Sequence, residues 1–349
     1  MQRMRQPLSG QLENRDGYDS MILNTGMRTD IPAYFSKWFI NRIRAGYVLT
    51  RNPYNPLQVT RYRLDPEVVD ILCFGTKNPG PLIPHLDEIG KFRTFWFVTM
   101  NPYGRELEPH VPYWKKTAGY IRELSAAFGP KAVSWRVSPI IVNDRYTVSW
   151  HIERFAWMAE ALAGQVETCM IAFLDLYAKT VRNFPEGRKV TPREKAEIGK
   201  AFAEISRRNG IRLIGCYEDQ DLRQYGVDVS GCMTHHALEH IGDIKLTIPK
   251  SERGVQKRPG SSASIPDEER KKYQEQGGCL LGNDIGAYNT CPHGCRYCYA
   301  NFDQYEVAAN FRMHDPESPY LIGGPVKGEV IHDAHQVSWI EHQMSIFDL

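Results

Sequence analysis

Short apolar runs alternate along this chain with segments whose apolar residues recur at helical spacing, and this alternation restricts the fold more than any other feature. Residues 21–24, 47–50, 69–74, 95–99, 132–137, 169–174 and 211–216 read as strands. Between them, residues 34–44, 85–89, 114–128, 152–162 and 192–209 read as helices. Asp30 caps a helix that Pro32 opens, and Thr191 caps the one that begins at Pro192. Strands that are apolar throughout, separated by helices at this interval, build a parallel sheet covered on both faces. The expected fold is therefore α/β, a full or partial TIM-like (β/α) barrel. In such a fold chemistry gathers at the C-terminal ends of the strands. Those ends carry Arg28 and Asp30, Arg51 and Asn52, Lys77 and Asn78, Asn101, Arg136, Asp175 and Glu218. Caps and turn formers account for part of this set.

Three cysteines near residue 295 set the chemistry. Cys291, Cys295 and Cys298 follow a C-x3-C-x2-C spacing, with Tyr297 directly before the third. One short loop then wraps three thiolates around a metal centre and leaves a fourth position open. Structural zinc takes four closed ligands. A 4Fe–4S cluster takes one thiolate per iron, so three cysteines leave one iron open. The spacing points to a 4Fe–4S cluster; the alternative is a zinc site with His293 as fourth ligand. Of the eight cysteines, Cys73 and Cys169 lie inside apolar strands as core residues. Cys216, Cys232 and Cys279 are candidates for an auxiliary iron–sulfur site, with unrelated thiols as the equal alternative.

Bulk properties exclude several classes. Over 349 residues, 43 basic and 41 acidic side chains give a net charge of +2, so no global field calls for nucleic acid or a membrane surface. No apolar run reaches the length of a membrane span. Residues 1–20 are polar and lack the apolar centre of a secretory signal. Cysteines in such a chain suggest metal or redox use and a cytoplasmic location.

The C-x3-C-x-aromatic-C loop resembles the cluster loop of the radical S-adenosylmethionine (SAM) enzymes. That resemblance implies an open iron chelating the amino and carboxylate groups of SAM, reductive cleavage to a 5′-deoxyadenosyl radical, and an electron donor such as flavodoxin or ferredoxin. Arg28, Lys77 and Arg136 at strand ends suit the SAM carboxylate or an anionic substrate, with salt bridging as the equal alternative; the resemblance implies contacts from Tyr299 and Asn301 to the adenine or amino group. In most of that superfamily the loop follows the first barrel strand. Here it follows the barrel units, as in a circular permutation, with residues 284–289 as a strand and a helix carrying Phe302, Tyr305, Ala308 and Phe311 after it.

The segments Arg28-Thr29-Asp30-Ile31-Pro32-Ala33, Arg51-Asn52-Pro53, Thr76-Lys77-Asn78-Pro79, Asp284-Ile285-Gly286-Ala287-Tyr288-Asn289 and Cys295-Arg296-Tyr297-Cys298-Tyr299-Ala300-Asn301 resemble domain of unknown function family 1848, whose members look like permuted relatives of the radical SAM proteins. Two departures stand out: Gly75 where an aromatic residue is expected, and Ser138 where an aspartate is expected after Arg136. The expected organisation is a leader at 1–20, β/α units at 21–249, a charged linker or insertion at 250–278, a cluster-binding segment at 279–325 and a tail at 326–349. Within the tail, Gln343, Met344, Ser345, Ile346 and Phe347 resemble the peptide by which bacterial repair proteins dock on the sliding clamp. That resemblance suggests DNA as a partner and a DNA lesion or modified nucleotide as substrate. The alternatives are a non-catalytic iron–sulfur or zinc module associated with DNA, and an electron-transfer protein.

Overall fold

The computed structural model describes residues 21–215, 217–247, 280 and 282–341, with only the backbone of 217–219. The chain opens with β1 (Ile22–Asn24), α1 (Ile31–Tyr34), α2 (Ser36–Ala45) and a hairpin of β2 (Tyr47–Asn52) and β3 (Asn55–Arg63). Strands and helices then alternate: β4 (Ile71–Thr76), α3 (Leu86–Ile89), β5 (Thr94–Thr99), α4 (Trp114–Phe128), β6 (Val133–Ile140), α5 (Val148–Leu162), β7 (Thr168–Phe173), α6 (Ala178–Asn183), α7 (Pro192–Arg208), β8 (Arg212–Gly215) and α8 (His235–Gly242). β9 (Asn283–Asp284), α9 (Gln304–Arg312) and β10 (Val330–Asp333) follow.

Seven strands form one parallel sheet in the order β8-β7-β6-β5-β4-β1-β9. From β1 to β8 each new strand of this sheet lies beside the one before it, without reversal. β9, from the far end of the sequence, pairs with the free side of β1. Most helices pack on one face, while α8 lies against the other. On the first face the side chains of Trp135, Phe155 and Phe202 stack at centroid distances of 4.7 and 3.7 Å, joining β6, α5 and α7. Burying such a ring stabilises by about 1.5–3 kcal/mol. The helix ends follow from sequence. Thr191 and Glu194 form a reciprocal capping box at α7, and Gly129, at φ +82°, ends α4.

The opposite face of the sheet changes character along the strands. Toward their N-terminal ends, Ile22, Ile71, Phe95 and Met170 meet Leu238, Leu246, Leu280 and Trp339 in a second apolar cluster. Toward their C-terminal ends this face carries Asn24, Gly75, Thr99, Arg136 and Ser138. The polar end carries the groups that could meet a ligand; the apolar end is packed.

Residues 47–50, expected as a strand of the parallel sheet, belong instead to a separate three-stranded sheet in the order β10-β3-β2. Arg51, expected at a functional strand end, is structural. It binds Glu329 at 2.6 Å and the carbonyls of Ile322 and Gly324, and it lies 4.1 Å over the Tyr320 ring. The strand expected over 284–289 is limited to β9. Of the segment 326–349, residues up to 341 lie on the domain: β10 pairs with β3, and buried Asp70 binds Ser338 Oγ and the Trp339 amide at 2.5 and 2.8 Å. The leader at 1–20, the stretch at 250–278 and the clamp-like peptide at 343–347 lie outside the described residues. Among the described residues no helix is long and apolar enough to cross a membrane.

The ends of β1 and β4 touch through two glycines. A Cβ on Gly26 would stand 1.8 Å from the Gly75 carbonyl oxygen, which is backbone and cannot swing aside. Gly26→Ala should therefore cost about 1–3 kcal/mol by overpacking. Gly119→Ala, in α4 where a Cβ meets open space, should add roughly 0.5–1 kcal/mol through helix propensity. Urea denaturation midpoints of the two variants check both signs.

Candidate active site at the strand ends

The cysteine loop sits at the C-terminal ends of the strands, fixed by two buried carboxylates. The first is Asp30, 5% exposed, at the N-cap of α1. One oxygen accepts from the Ala33 amide at 3.0 Å and Thr76 Oγ1 at 2.7 Å. The other accepts from the Lys77 amide at 2.8 Å and His293 Nε2 at 2.7 Å. His293 Nδ1 lies 3.1 Å from the Tyr34 hydroxyl. Both ring nitrogens of His293 are thus engaged, so in this arrangement it anchors the loop and is not free as a fourth metal ligand. Burial, and then the nearby Cys291 sulfur, push the Tyr34 phenol well above its ordinary range.

The second is Glu108, 3% exposed, on the segment after β5. It accepts from Lys77 Nζ at 2.8 Å, from Asn101 Nδ2 at 2.9 Å and from the Tyr297 hydroxyl. Burial alone would raise its pKa; the Lys77 ammonium and the hydrogen bonds outweigh it, and the carboxyl is held below the usual carboxylate range. Asn101 also bridges to β6, accepting from the Ser138 amide at 3.0 Å and donating to its carbonyl at 2.9 Å.

Between these anchors the loop is held by its own backbone. Gly294 takes φ +70°, the left-handed region, to make the turn between Cys291 and Cys295. The His110 amide donates to the His293 carbonyl at 3.2 Å, and the Arg296 amide to the Leu107 carbonyl at 3.1 Å. Asn301 Nδ2 donates to the Cys291 carbonyl at 2.8 Å, tying the two ends of the loop together.

Cys291 and Cys295 are each 8% exposed, and Cys298 is partly buried. Burial is the largest cause pushing all three thiols above the ordinary cysteine range; nearby negative charge adds to it at Cys291, from Asp30 and the other cysteines, and at Cys295, from Glu108 and Cys298. Lys77 pulls Cys295 and Cys298 the other way. Among the described residues no three His, Cys, Asp or Glu side chains are drawn together as ligands of one ion.

The remaining expected site residues divide. Arg28 is committed to Asp284, with Nε 3.1 Å from Oδ1 and a further bond to the Asp284 carbonyl, so it joins β1 to β9. Lys77 is committed to Glu108. Arg136 has a buried Nε with no acceptor among the described residues, and the buried Oδ1 of Asn301 is likewise without a donor. The Tyr299 ring is 46% exposed at the mouth of the loop, with its hydroxyl on the Met27 carbonyl. Of the auxiliary candidates, Cys232 packs beside the second apolar cluster, while Cys216 and Cys279 lie outside the described residues. Glu108 and Lys179 were not legible as site residues in the sequence. Lys179 donates to the Ala300 carbonyl at 3.3 Å, just past the third cysteine.

Glu108→Gln leaves the Lys77 ammonium buried without its counter-charge and should cost about 3–5 kcal/mol at pH 7. Because the folded carboxyl is held down, its contribution is complete above the unfolded value near 4.3 and is lost as pH falls through the folded value. The stability gap between parent and variant should therefore narrow below about pH 4.3. Equilibrium denaturation at pH 7 and at lower pH measures it; a gap independent of pH would refute the charged pair.

No curated protein matches the chain. The family described as Domain of unknown function (DUF1848) matches residues 22–300, a span that begins at β1 and ends within the cysteine loop, and the chain belongs to that family.

Proposed function

We propose that this protein is an iron–sulfur enzyme of the radical SAM type. Cys291, Cys295 and Cys298 would hold three irons of a 4Fe–4S cluster and leave the fourth for SAM. One observation carries the reading: all three thiols lie on one loop that follows β9, and side chains from the ends of β1, β4 and β5 hold that loop over the C-terminal edge of the sheet. β9 beside β1 supplies the strand that precedes a cluster loop, although it comes last in sequence among the strands of that sheet. The unreversed strand order suits a partial (β/α) barrel whose cluster strand has moved to the C-terminal side.

The residues fit the group. Three soft thiolate donors suit iron–sulfur ligation, and one thiolate per iron does not ask the three to converge on a single ion. A metal's positive charge would offset the burial that otherwise opposes thiolate formation. Lys77 adds a fixed positive charge beside Cys295. The unsatisfied Asn301 Oδ1 offers an acceptor for the SAM amino group. When bound, the cluster supplies the electron that cleaves SAM to methionine and a 5′-deoxyadenosyl radical, drawing on an external donor such as flavodoxin or ferredoxin. The chain's own part is to hold the loop rigid through Asp30 and Glu108 and to keep water from it.

Anaerobic purification with iron and sulfide reconstitution should give about four irons per chain, and each of Cys291→Ala, Cys295→Ala and Cys298→Ala should lose most of them. Reduction with SAM should release 5′-deoxyadenosine from the parent and none from Cys298→Ala. Zinc in place of iron after anaerobic isolation would overturn the proposal. A full cluster that does not bind SAM would leave an electron-transfer or DNA-associated binding protein.

A further inference from the structure

Beside the loop stand two cations that form no ion pair with a carboxylate among the described residues. Arg136 is the first. Its neighbours Trp135 and Val137 turn into the helix-side core, so its side chain projects from the opposite face of β6, in register with Thr99 of β5 and Met170 of β7. Its Nε is buried and meets no acceptor among the described residues. Lys179, on α6, is the second. Its ammonium bonds the Ala300 carbonyl and lies 4.8 Å from the centre of the Tyr288 ring, and no carboxylate among the described residues pairs with it. Arg28 and Lys77, by contrast, are paired with Asp284 and Glu108. Among the described acids nearby, Asp175 stands 3.4 Å from the Tyr177 hydroxyl, and Glu306 acts on Lys179 without pairing with it.

An uncompensated guanidinium on an otherwise covered sheet face is costly unless an anion joins it. Two such cations match a phosphate monoester, which carries a charge of about −1.5 to −2 near neutral pH, better than a single carboxylate. The planar fork of arginine suits a phosphate's oxygens. Aromatic faces stand alongside: the Tyr177 and Tyr299 ring centres are 5.8 Å apart, and Tyr299 is half exposed. Rings of this kind accept a nucleobase by stacking, with little regard to which base it is.

We propose that Arg136 and Lys179 bind the phosphate of a nucleotide substrate whose base lies against Tyr299 and Tyr177. The inference takes its chemistry from the radical SAM reading above, but its binding geometry does not depend on it. The nucleotide could be free or part of a single strand of DNA; the recognising chemistry is the same, and the test separates the two.

The protein, isolated anaerobically with its metal, is titrated by calorimetry with each 2′-deoxynucleoside 5′-monophosphate, with the matching nucleosides, with a short single-stranded oligodeoxynucleotide and with SAM. Nucleotides should bind roughly tenfold or more tighter than nucleosides. Arg136→Gln and Lys179→Gln should each remove about that factor while changing nucleoside and SAM affinity by less than about twofold. Arg136→Lys, which keeps a point charge but not the fork, should fall between. Tighter binding of the oligonucleotide with the same dependence on Arg136 would identify the strand as the source; no gain over the mononucleotide would identify a free nucleotide.

Absence of nucleotide binding would overturn the proposal, as would equal affinity for nucleotide and nucleoside, or variants that bind nucleotide like the parent. A loss of SAM affinity in Arg136→Gln with nucleotide binding intact would assign the cation to the cofactor and overturn it too. Failure to release 5′-deoxyadenosine, with phosphate-dependent binding retained, would sink only the radical SAM reading.

Discussion

Everything at the C-terminal edge of the sheet hangs on one saturated carboxylate. Asp30 accepts four hydrogen bonds, and its donors come from α1, from the end of β4 and from His293, 263 residues away in sequence. A carboxylate this buried is tolerable only when its lone pairs are filled. The same requirement that satisfies Asp30 therefore recruits the loop. Glu108 repeats the device on the other flank, with Lys77, Asn101 and Tyr297 as donors. His293 falls between Cys291 and Cys295, and Tyr297 falls between Cys295 and Cys298. Each interval between cysteines is thus held by its own buried acid, so the spacing of the thiols is imposed by the surrounding domain as well as by the loop.

The pairing of β9 with β1 is the second half of that arrangement. Two residues of strand supply little on their own. The contact is reinforced by Arg28 and by the Met27 amide, both of which bind the Asp284 carboxylate, with the amide at 2.7 Å. Asp284 also accepts from the Gly286 amide at 2.8 Å, turning the chain toward the loop. An arginine that reads in sequence as a ligand for an external carboxylate is occupied by an internal one. It delivers the cysteines to the strand ends despite their late position in the chain.

What the sequence discloses about this molecule follows from the range of each interaction. The helix over 114–128, the capping box at Thr191 and the cap at Asp30 are local patterns, and the structure has them where the residues imply. The strand at 47–50 looks like any other short apolar run after a helix; its antiparallel partner β3 is largely exposed and polar, so it gives no apolar signal, and a hairpin passes for a β/α unit. Glu108 is one more acid in a polar stretch until burial singles it out. The roles of Arg28 and Arg51 depend on Asp284 and Glu329, more than 250 positions away, which no local pattern connects. The cysteine spacing is legible because three ligands share one loop; the anchors that position them are not.

The two departures from the resembled family sharpen the chemistry of the pocket. Gly75 and Ser138 both stand toward the C-terminal end of the sheet face that carries Arg136, where bulk or charge would alter what binds. The close approach of Gly26 and Gly75 holds the ends of β1 and β4 together and leaves this part of the face without a side chain. Ser138, two residues beyond Arg136, exchanges its amide and carbonyl with the Asn101 side chain and brings no negative charge. An aspartate in its place would stand beside the guanidinium and compete for it. With serine there, and with Glu108 already engaged by Lys77, the buried Nε of Arg136 meets no acceptor among the described residues. The residue that separates this chain from the expected pattern therefore adds no negative charge beside the Arg136 guanidinium on this sheet face.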